Sequence, residues 1–338
     1  MRRNLTRLTL STILGASIGI TLANAQVGHV NLRSSLNGLM DGSLIAFALG
    51  FYHWFIYRGF AQGFFRRTPF ALLLGIQFSI YLILIVAMRT IGRFLANDYT
   101  VIGDIWRDSY AAESVLVGAA AALVLNFLVY VTALLDLPTI LAFLSGRYHR
   151  PRKEHRVFLF VDLVSSTGIA EQIGGEKFAL LLDMFFSDMT EPLVRTGGAI
   201  YKYVGDEAII TWPQRKASAD KCMQFHSHFK TEIQKNRPRY QSGFGLVPEF
   251  RAAAHAGEII ACEIGTLKKE IAFLGDTVNV AARLLEESRK TARSFVVSEA
   301  IAEQLAPKEK EMLQKLGRLQ VRGRSELVEV YAVSEGAM

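Results

Sequence analysis

Four long apolar blocks occupy the first part of the chain and decide what it can fold into: Leu8–Ala25, Leu39–Tyr57, Phe70–Met88 and Val115–Leu135. Each approaches the ~20 residues that a helix needs to cross a bilayer. Arginines punctuate them. Arg2, Arg3 and Arg7 precede the first block, and Arg58, Arg66 and Arg67 separate the second from the third. Arg147, Arg150, Arg152, Lys153 and Arg156 follow the fourth. If the chain crosses four times, all three clusters fall on one side, which the positive-inside rule makes the cytosol. The Arg89–Glu113 loop then lies outside, with Asp98, Asp104 and Asp108 offsetting Arg89, Arg93 and Arg107.

Composition sharpens the division. The chain has 338 residues, 51% of them hydrophobic, and no lysine before Lys153. That pattern is a membrane half joined to a soluble half. The net charge of +7 is concentrated where loops would meet anionic lipid, so it calls for a lipid bilayer as partner and no nucleic acid. Cys222 and Cys262 are too few for a disulfide framework and suit a reducing compartment. The expected organisation is a transmembrane helical domain over 1–135, a basic juxtamembrane linker over 136–155 and a soluble domain over 156–338. The expected location is the inner (plasma) membrane, multi-pass.

Two features of the membrane half admit more than one reading. Ala23-Asn24-Ala25 has the small-residue form of a signal-peptidase site, so the first block reads either as an uncleaved helix, which is favoured, or as a leader. Asp41 and His53 are polar residues within spans and therefore costly in lipid. The plain expectation places Asp41 at a helix end in the headgroup zone, and His53 with Tyr52 and Trp54 in an interfacial aromatic belt. No lysine is available there for a retinal Schiff base, and a haem anchor would need a second well-placed histidine. Pro138 is expected to end or kink the fourth helix, with Thr139–Leu144 continuing it or lying at the interface.

The soluble half is organised around Ala199–Ile210, AIYKYVGDEAII, which reads as a β-hairpin. Ile200, Tyr201, Tyr203 and Val204 are β-prone, and Gly205-Asp206 supplies a tight turn. Val157–Thr167, VFLFVDLVSST, reads as a buried strand ending on Asp162, followed by Ser165, Ser166 and Thr167 at a helix start, where backbone N–H groups hold phosphate oxygens. Two carboxylates at adjacent strand ends, Asp162 and Asp206, suit a pair of Mg²⁺ ions, which take one or two carboxylates and complete their shells with water and phosphate. Asn279 and Arg283 are four apart in a helical pattern and share one face, an arrangement fit for a ribose and a phosphate gaining charge. Glu176–Val194 and Ser218–Lys235 read as helices. Phe250–Gly257, Glu258–Ile264 and Ile271–Leu274 read as strands. The order βαββαβ implies an α+β fold, a ferredoxin-like sheet packed by helices on one face.

From about Arg156 to Val333, these motifs together resemble the catalytic domain of the class III adenylate and guanylate cyclases. Phe160-Val161-Asp162 with Ser166-Thr167 is similar to the first metal motif, and Leu163 is placed in the metal site with Asp162. Lys202-Tyr203-Val204-Gly205-Asp206 is similar to the second, preceded by a purine-selecting lysine. Arg251-Ala252-Ala253-Ala254-His255-Ala256-Gly257 resembles an Arg-x-Gly-x-His-x-Gly strand, with Ala253 in place of a glycine. Gly275–Arg283 resembles the transition-state helix, and Val321-Arg322-Gly323-Arg324 the basic turn near the domain's end. The resemblance implies two Mg²⁺ per site, with Mn²⁺ able to substitute, on Asp162, Leu163 and Asp206. It implies ATP as substrate, held by Lys202, Arg251, Ser165, Ser166, Thr167, Arg322 and Arg324. Catalytic roles fall to Asn279 and Arg283, with His255 structural. The metal residues and the Asn/Arg pair would come from opposite subunits of a homodimer, and the product would be 3′,5′-cyclic AMP.

One departure bears on specificity. The second purine-selecting position falls on Ala272, which has no polar side chain, so base recognition leans on Lys202 and backbone groups. Lys202 favours ATP, since guanylate cyclases resemble this pattern with Glu at that position. Other readings are a guanylate cyclase, a diguanylate cyclase suggested by Val204-Gly205-Asp206-Glu207, and a catalytically weak nucleotide-binding membrane sensor.

Overall fold

The computed structural model describes residues 2–60, 70–95, 116–120, 122–124, 126–127, 137–320 and 327–334. The chain divides into two compact units, Met1–Leu135 and Asp136–Met338.

The first unit is helical. Helix α1 is Arg2–Val27 and α2 is Leu32–Phe51, continued by a π-helical stretch Tyr52–Phe60; α3 is Phe70–Leu95. Three stretches among the described residues, Leu8–Ala25, Leu32–Ile56 and Leu72–Leu95, are long and apolar enough to cross a membrane. Most of the expected fourth block, Val115–Leu135, lies outside the described residues. α1 runs unbroken through Ala23-Asn24-Ala25. It packs on α2 through glycines spaced four apart on both partners, Gly15 and Gly19 against Gly38 and Gly42. A Cβ at Gly19 would run into the Gly38 carbonyl, and one at Gly42 into the Gly15 carbonyl. Small residues allow such approach where lipid supplies no hydrophobic drive between helices. At the end of the pair closed by the connecting loop, the Asn24 side chain donates to Ser35 Oγ (2.8 Å) and accepts from Ser34 Oγ (2.6 Å).

Asp41 departs from expectation. It lies in the middle of α2, with Arg93 Nε 3.4 Å and Arg89 Nη1 3.8 Å from its Oδ2. The reason is that α3 continues past Met88 to Leu95, so Arg89 and Arg93 belong to a helix that packs on α2 rather than to an external loop. Opposite charges satisfied within a helix pair cost lipid far less than an isolated carboxylate.

The second unit begins with α4, Leu137–Leu144, with Pro138 in its first turn, where a missing N–H costs nothing. Strand β1 (Arg152–Leu163) follows, then α5 (Ser166–Ile173), α6 (Gly175–Asp188) and α7 (Thr190–Thr196). The hairpin is β2 (Ala199–Val204) and β3 (Glu207–Pro213). Then come α8 (Ser218–Lys235), α9 (Arg237–Phe244), β4 (Phe250–Ile264), β5 (Glu270–Leu274), α10 (Asp276–Thr291) and β6 (Phe295–Ser298). Short helices α11 (Glu299–Ala302) and α12 (Pro307–Lys310) precede β7 (Leu313–Gln320) and β8 (Leu327–Val333).

The sheet runs β2-β3-β1-β4-β6-β8-β7, with β5 on β4. Its first four strands, with α6 and α8, give the ferredoxin-like order that the βαββαβ pattern predicts. β1 is apolar at every position from Val157 to Val161, so it needs cover on both faces. Val157, Leu159, Val161 and Leu163 join one core with Leu181, Phe185, Phe225 and Phe229 of α6 and α8. Phe158 and Phe160 join a second core with Val280, Ala281, Leu284 and Leu285 of α10. Helices therefore cover both faces, not one; α10 lies outside the βαββαβ core. The expected break at Gly257-Glu258 is also absent. β4 is continuous because β1 pairs with it from Phe250 to Ala261, while β6 and β5 share its other edge at Ala252–Ala254 and Ile260–Ile264.

The α1–α2 contact yields a stability test. Gly38→Val should lower the unfolding midpoint of the full chain in detergent. Gly75→Val, where a Cβ meets nothing within 4 Å, should not. Equal midpoints for Gly38→Val and wild type would show that the glycine contact contributes little.

Candidate active site

The site stands where β1, β3 and β4 end together. Asp162 pairs in register with Glu207 on β3 and with Arg251 on β4. Cross-strand partners share a face, so Asp162, Glu207 and Arg251 continue the column formed by Phe160, Ile209 and Ala253, on the side that α10 covers. One residue before Glu207, Asp206 occupies the two-residue turn between β2 and β3. Gly205 precedes it with φ +64°, the left-handed conformation such a turn demands.

Asp162 is 4% exposed. Arg289, from the last turn of α10, grips it with both arms of its guanidinium: Nη2 lies 2.8 Å from Oδ1 and Nε 3.1 Å from Oδ2. Burial pushes the Glu207 carboxyl up to about 7, and the charges of Asp162 and Asp206 push the same way against Arg289. Three carboxylates therefore lie close enough to feel one another. The donor set is all oxygen, and among the described residues no group of three or more His, Cys, Asp or Glu is arranged to hold a metal by itself. Magnesium fits such a set, since it takes one or two carboxylates and leaves its other positions to water and phosphate. The Leu163 side chain is buried in the opposite core, so only its backbone could contribute.

Beyond the row, Ser165 is exposed at φ +56° and starts α5, Ser166–Ile173, without a side-chain cap hydrogen bond, so Ser166 and Thr167 stand in the first turn of that helix. Lys202, in β2, is half-exposed and pairs with Glu270 of β5 at 2.9 Å. Glu270 is held down to about 2 by Lys268 first and then Lys202. Tyr201 ties the same two strands: its OH accepts from the Phe273 N–H at 3.2 Å, and its ring lies 4.7 Å from that of Phe273. Ala272 is buried beside them. His255 is buried, with Nδ1 2.7 Å from Ser298 Oγ, in keeping with a structural role. Arg322 and Arg324 lie outside the described residues.

Asn279 and Arg283 share one exposed face of α10, as their spacing predicts. Arg283 pairs with Glu286 on its own helix at 2.7 Å. Among the described residues, neither is joined to the carboxylate row by a hydrogen bond or ion pair. α10 itself is seated by Thr277, whose Oγ1 donates to the Glu258 carbonyl at 2.7 Å. The sequence reading gave Arg289 no role and named Glu207 only in the diguanylate cyclase alternative. Glu207 was within reach, since it directly follows the turn aspartate; nothing in the spacing of Arg289 announces a partner 127 residues away.

The sequence over residues 149–335 matches the family described as the adenylate and guanylate cyclase catalytic domain. The chain is 38% identical over 213 residues to Adenylate cyclase 2 of Rhizobium meliloti (strain 1021), covering 63% of this chain and 59% of that one. It is 28% identical over 177 residues to Photoactivated adenylate cyclase subunit alpha of Euglena gracilis, covering 52% of this chain and 17% of that one. The chain thus spans under two thirds of the length of these relatives. The fold is similar to that of a bacterial light-regulated adenylyl cyclase, with a TM-score of 0.54 and 19% identity over 66% of this chain and 65% of that one.

The seat of α10 can be tested. A Cβ at Gly257 would lie 2.6 Å from Thr277 Oγ1. Gly257→Val should push the start of α10 off the sheet and abolish the Thr277–Glu258 bond. Faster amide exchange over Asp276–Val280 than in wild type checks this, and unchanged exchange refutes it.

Proposed function

Because the chain belongs to the adenylate and guanylate cyclase catalytic domain family, we propose that it is a membrane-anchored adenylate cyclase that converts ATP to 3′,5′-cyclic AMP and pyrophosphate. The observation that carries this reading is the placement of Asp162 and Asp206 at adjacent strand ends, with Lys202 in the strand that leads into the Asp206 turn. The name of the R. meliloti relative supports the choice of adenine nucleotide, as does lysine rather than glutamate at position 202.

Mg²⁺ held by Asp162 and Asp206, two ions in our reading and replaceable by Mn²⁺, would neutralise triphosphate charge and polarise the reacting oxygens. The chain's own groups do the rest. Backbone N–H groups at Ser165, Ser166 and Thr167 face phosphate oxygens, and Arg251 reaches the same region from β4. Arg322 and Arg324 are assigned to the phosphates from their motif alone. Lys202 donates to an acceptor on the purine ring, and Glu270 holds its ammonium in place. Asn279 orients the ribose so that its 3′-oxygen faces the α-phosphorus. Arg283 stabilises the charge that builds on that phosphate as pyrophosphate leaves. Among the described residues neither side chain is bonded to the carboxylates of its own chain, and Arg283 pairs with Glu286 instead, so a homodimer with two composite sites is part of the proposal. The membrane unit serves as anchor or sensor, with the catalytic unit in the cytoplasm of the cell that carries it.

Full-length protein supplied with ATP and Mg²⁺ or Mn²⁺ should release cyclic AMP. Cyclic GMP or cyclic diguanylate as the main product would favour the other cyclases, and nucleotide binding without turnover would favour the sensor. Asp162→Ala and Asp206→Ala should each cut turnover by at least about a hundredfold, as expected when charge stabilisation is lost; near-normal activity in either overturns the metal assignment. Co-expressed Asp162→Ala and Arg283→Ala chains should recover about a quarter of wild-type activity, because half of randomly formed dimers carry one intact site of two. Verified mixed dimers with no recovery would place the residues in one chain's site.

A further inference from the structure

We propose that Arg289 is an internal counter-ion of the cation site, competing with a divalent cation for Asp162 and so setting the cation concentration at which the site fills. The inference rests on the reading of Asp162 as a cation ligand.

The two partners are unequal. Asp162 cannot move, because β1 is registered to β3 on one side and β4 on the other through that residue. Its side chain is 6% exposed, so an ionised carboxylate there needs a positive neighbour. Arg289 is 46% exposed and sits on a long flexible stem at the open end of α10. Its guanidinium can pass into water, because the long stem packs on the protein while the head lies at the solvent edge. The helix end does not have to follow. Ser288 is fully buried and its Oγ donates to the Arg293 carbonyl, which ties the chain beyond the helix back to its last turn. The mobile part is one side chain.

The grip also engages both oxygens. The guanidinium fork spans both carboxylate oxygens, 2.8 Å to one and 3.1 Å to the other. A cation binding through Asp162 must take at least one of those oxygens, and two positive centres on one carboxylate repel at that range. Arg289 and the cation therefore weaken one another on Asp162. No other basic residue has an ion pair to Asp162 among the described residues, although Arg251 stands directly opposite on β4.

The test uses the full chain in detergent with Mn²⁺ as probe, free Mn²⁺ being read by electron paramagnetic resonance. Arg289→Ala should bind Mn²⁺ about tenfold more tightly than wild type, the scale of one charge-assisted hydrogen-bonded pair, and Arg289→Lys should fall between. Asp162→Asn should lose this binding. Without cation, Arg289→Ala should unfold at a lower temperature than wild type, and saturating Mn²⁺ should close the gap. If Asp162→Asn loses binding but Arg289→Ala binds no more tightly than wild type, the pair is a permanent structural one and the inference falls. If Asp162→Asn binds as wild type does, the cation reading of Asp162 fails and takes the inference with it.

Discussion

Strand β1 is fixed from both sides. β3 pairs with it from Arg156 to Asp162, and β4 pairs with it over its whole length, from Arg152 to Leu163. A one-residue slip against either partner would turn Phe158 and Phe160 out of one core and Leu159 and Val161 out of the other. Each mismatch would leave large apolar surface uncovered, so the register is strongly specified. Asp162 inherits that precision. A buried carboxylate is a cost to the fold, and here it is placed by a strand whose own packing cannot tolerate another position. Glu207 and Arg251 are fixed by the same ladders, and Asp206 by a turn too short to wander.

Much of this was legible in the sequence, for identifiable reasons. The VFLFVDL run and the KYVGDE turn are local signals: consecutive apolar residues for a strand covered twice, and glycine before aspartate for a two-residue turn. The helix Ser218–Lys235 appeared with its expected bounds because its apolar residues repeat at helical spacing. Other features were set by partners that a linear reading does not contain. Nothing within Phe250–Ile264 says that one strand will serve β6 along one part of its edge and β5 along another. Strands β6 and β8 take their places from pairing rather than from any motif. The candidate site divides in the same way. Asp162, Asp206, Lys202, Asn279 and Arg283 lie in recognisable local patterns, whereas Arg289 enters only because α10 crosses the end of β1.

The helical unit shows the same dependence on partners. Asp41 read alone is an embarrassment in an apolar helix, and a headgroup position is the economical guess. With Arg89 and Arg93 carried on the extended end of α3, the carboxylate becomes a point of attachment between helices. The glycines of α1 and α2 read alone are weak helix formers, worth roughly 1 kcal/mol each against alanine. In the pair they are what lets two backbones touch.

Helix α10 carries the argument for two chains. At about 100° per residue, Arg283 lies about 40° around the helix from Asn279, while Arg289 lies about 80° from Asn279 in the other direction and about 120° from Arg283. Val280, Ala281, Leu284 and Leu285 bind the helix to the sheet, and Arg289 reaches Asp162 along the edge of that contact. Asn279 and Arg283 are left on the solvent side. Turning the helix to aim them at the carboxylates would lift Val280, Leu284 and Leu285 off the core of Phe158 and Phe160, at about 1.5–3 kcal/mol each, with a smaller loss for the Ala281 methyl. A single chain is therefore poorly built to bring Asn279 and Arg283 to its own carboxylate row, which is why the proposed function includes a homodimer. A second copy, presenting the same exposed face of its own α10 to the carboxylate row, needs no such rotation.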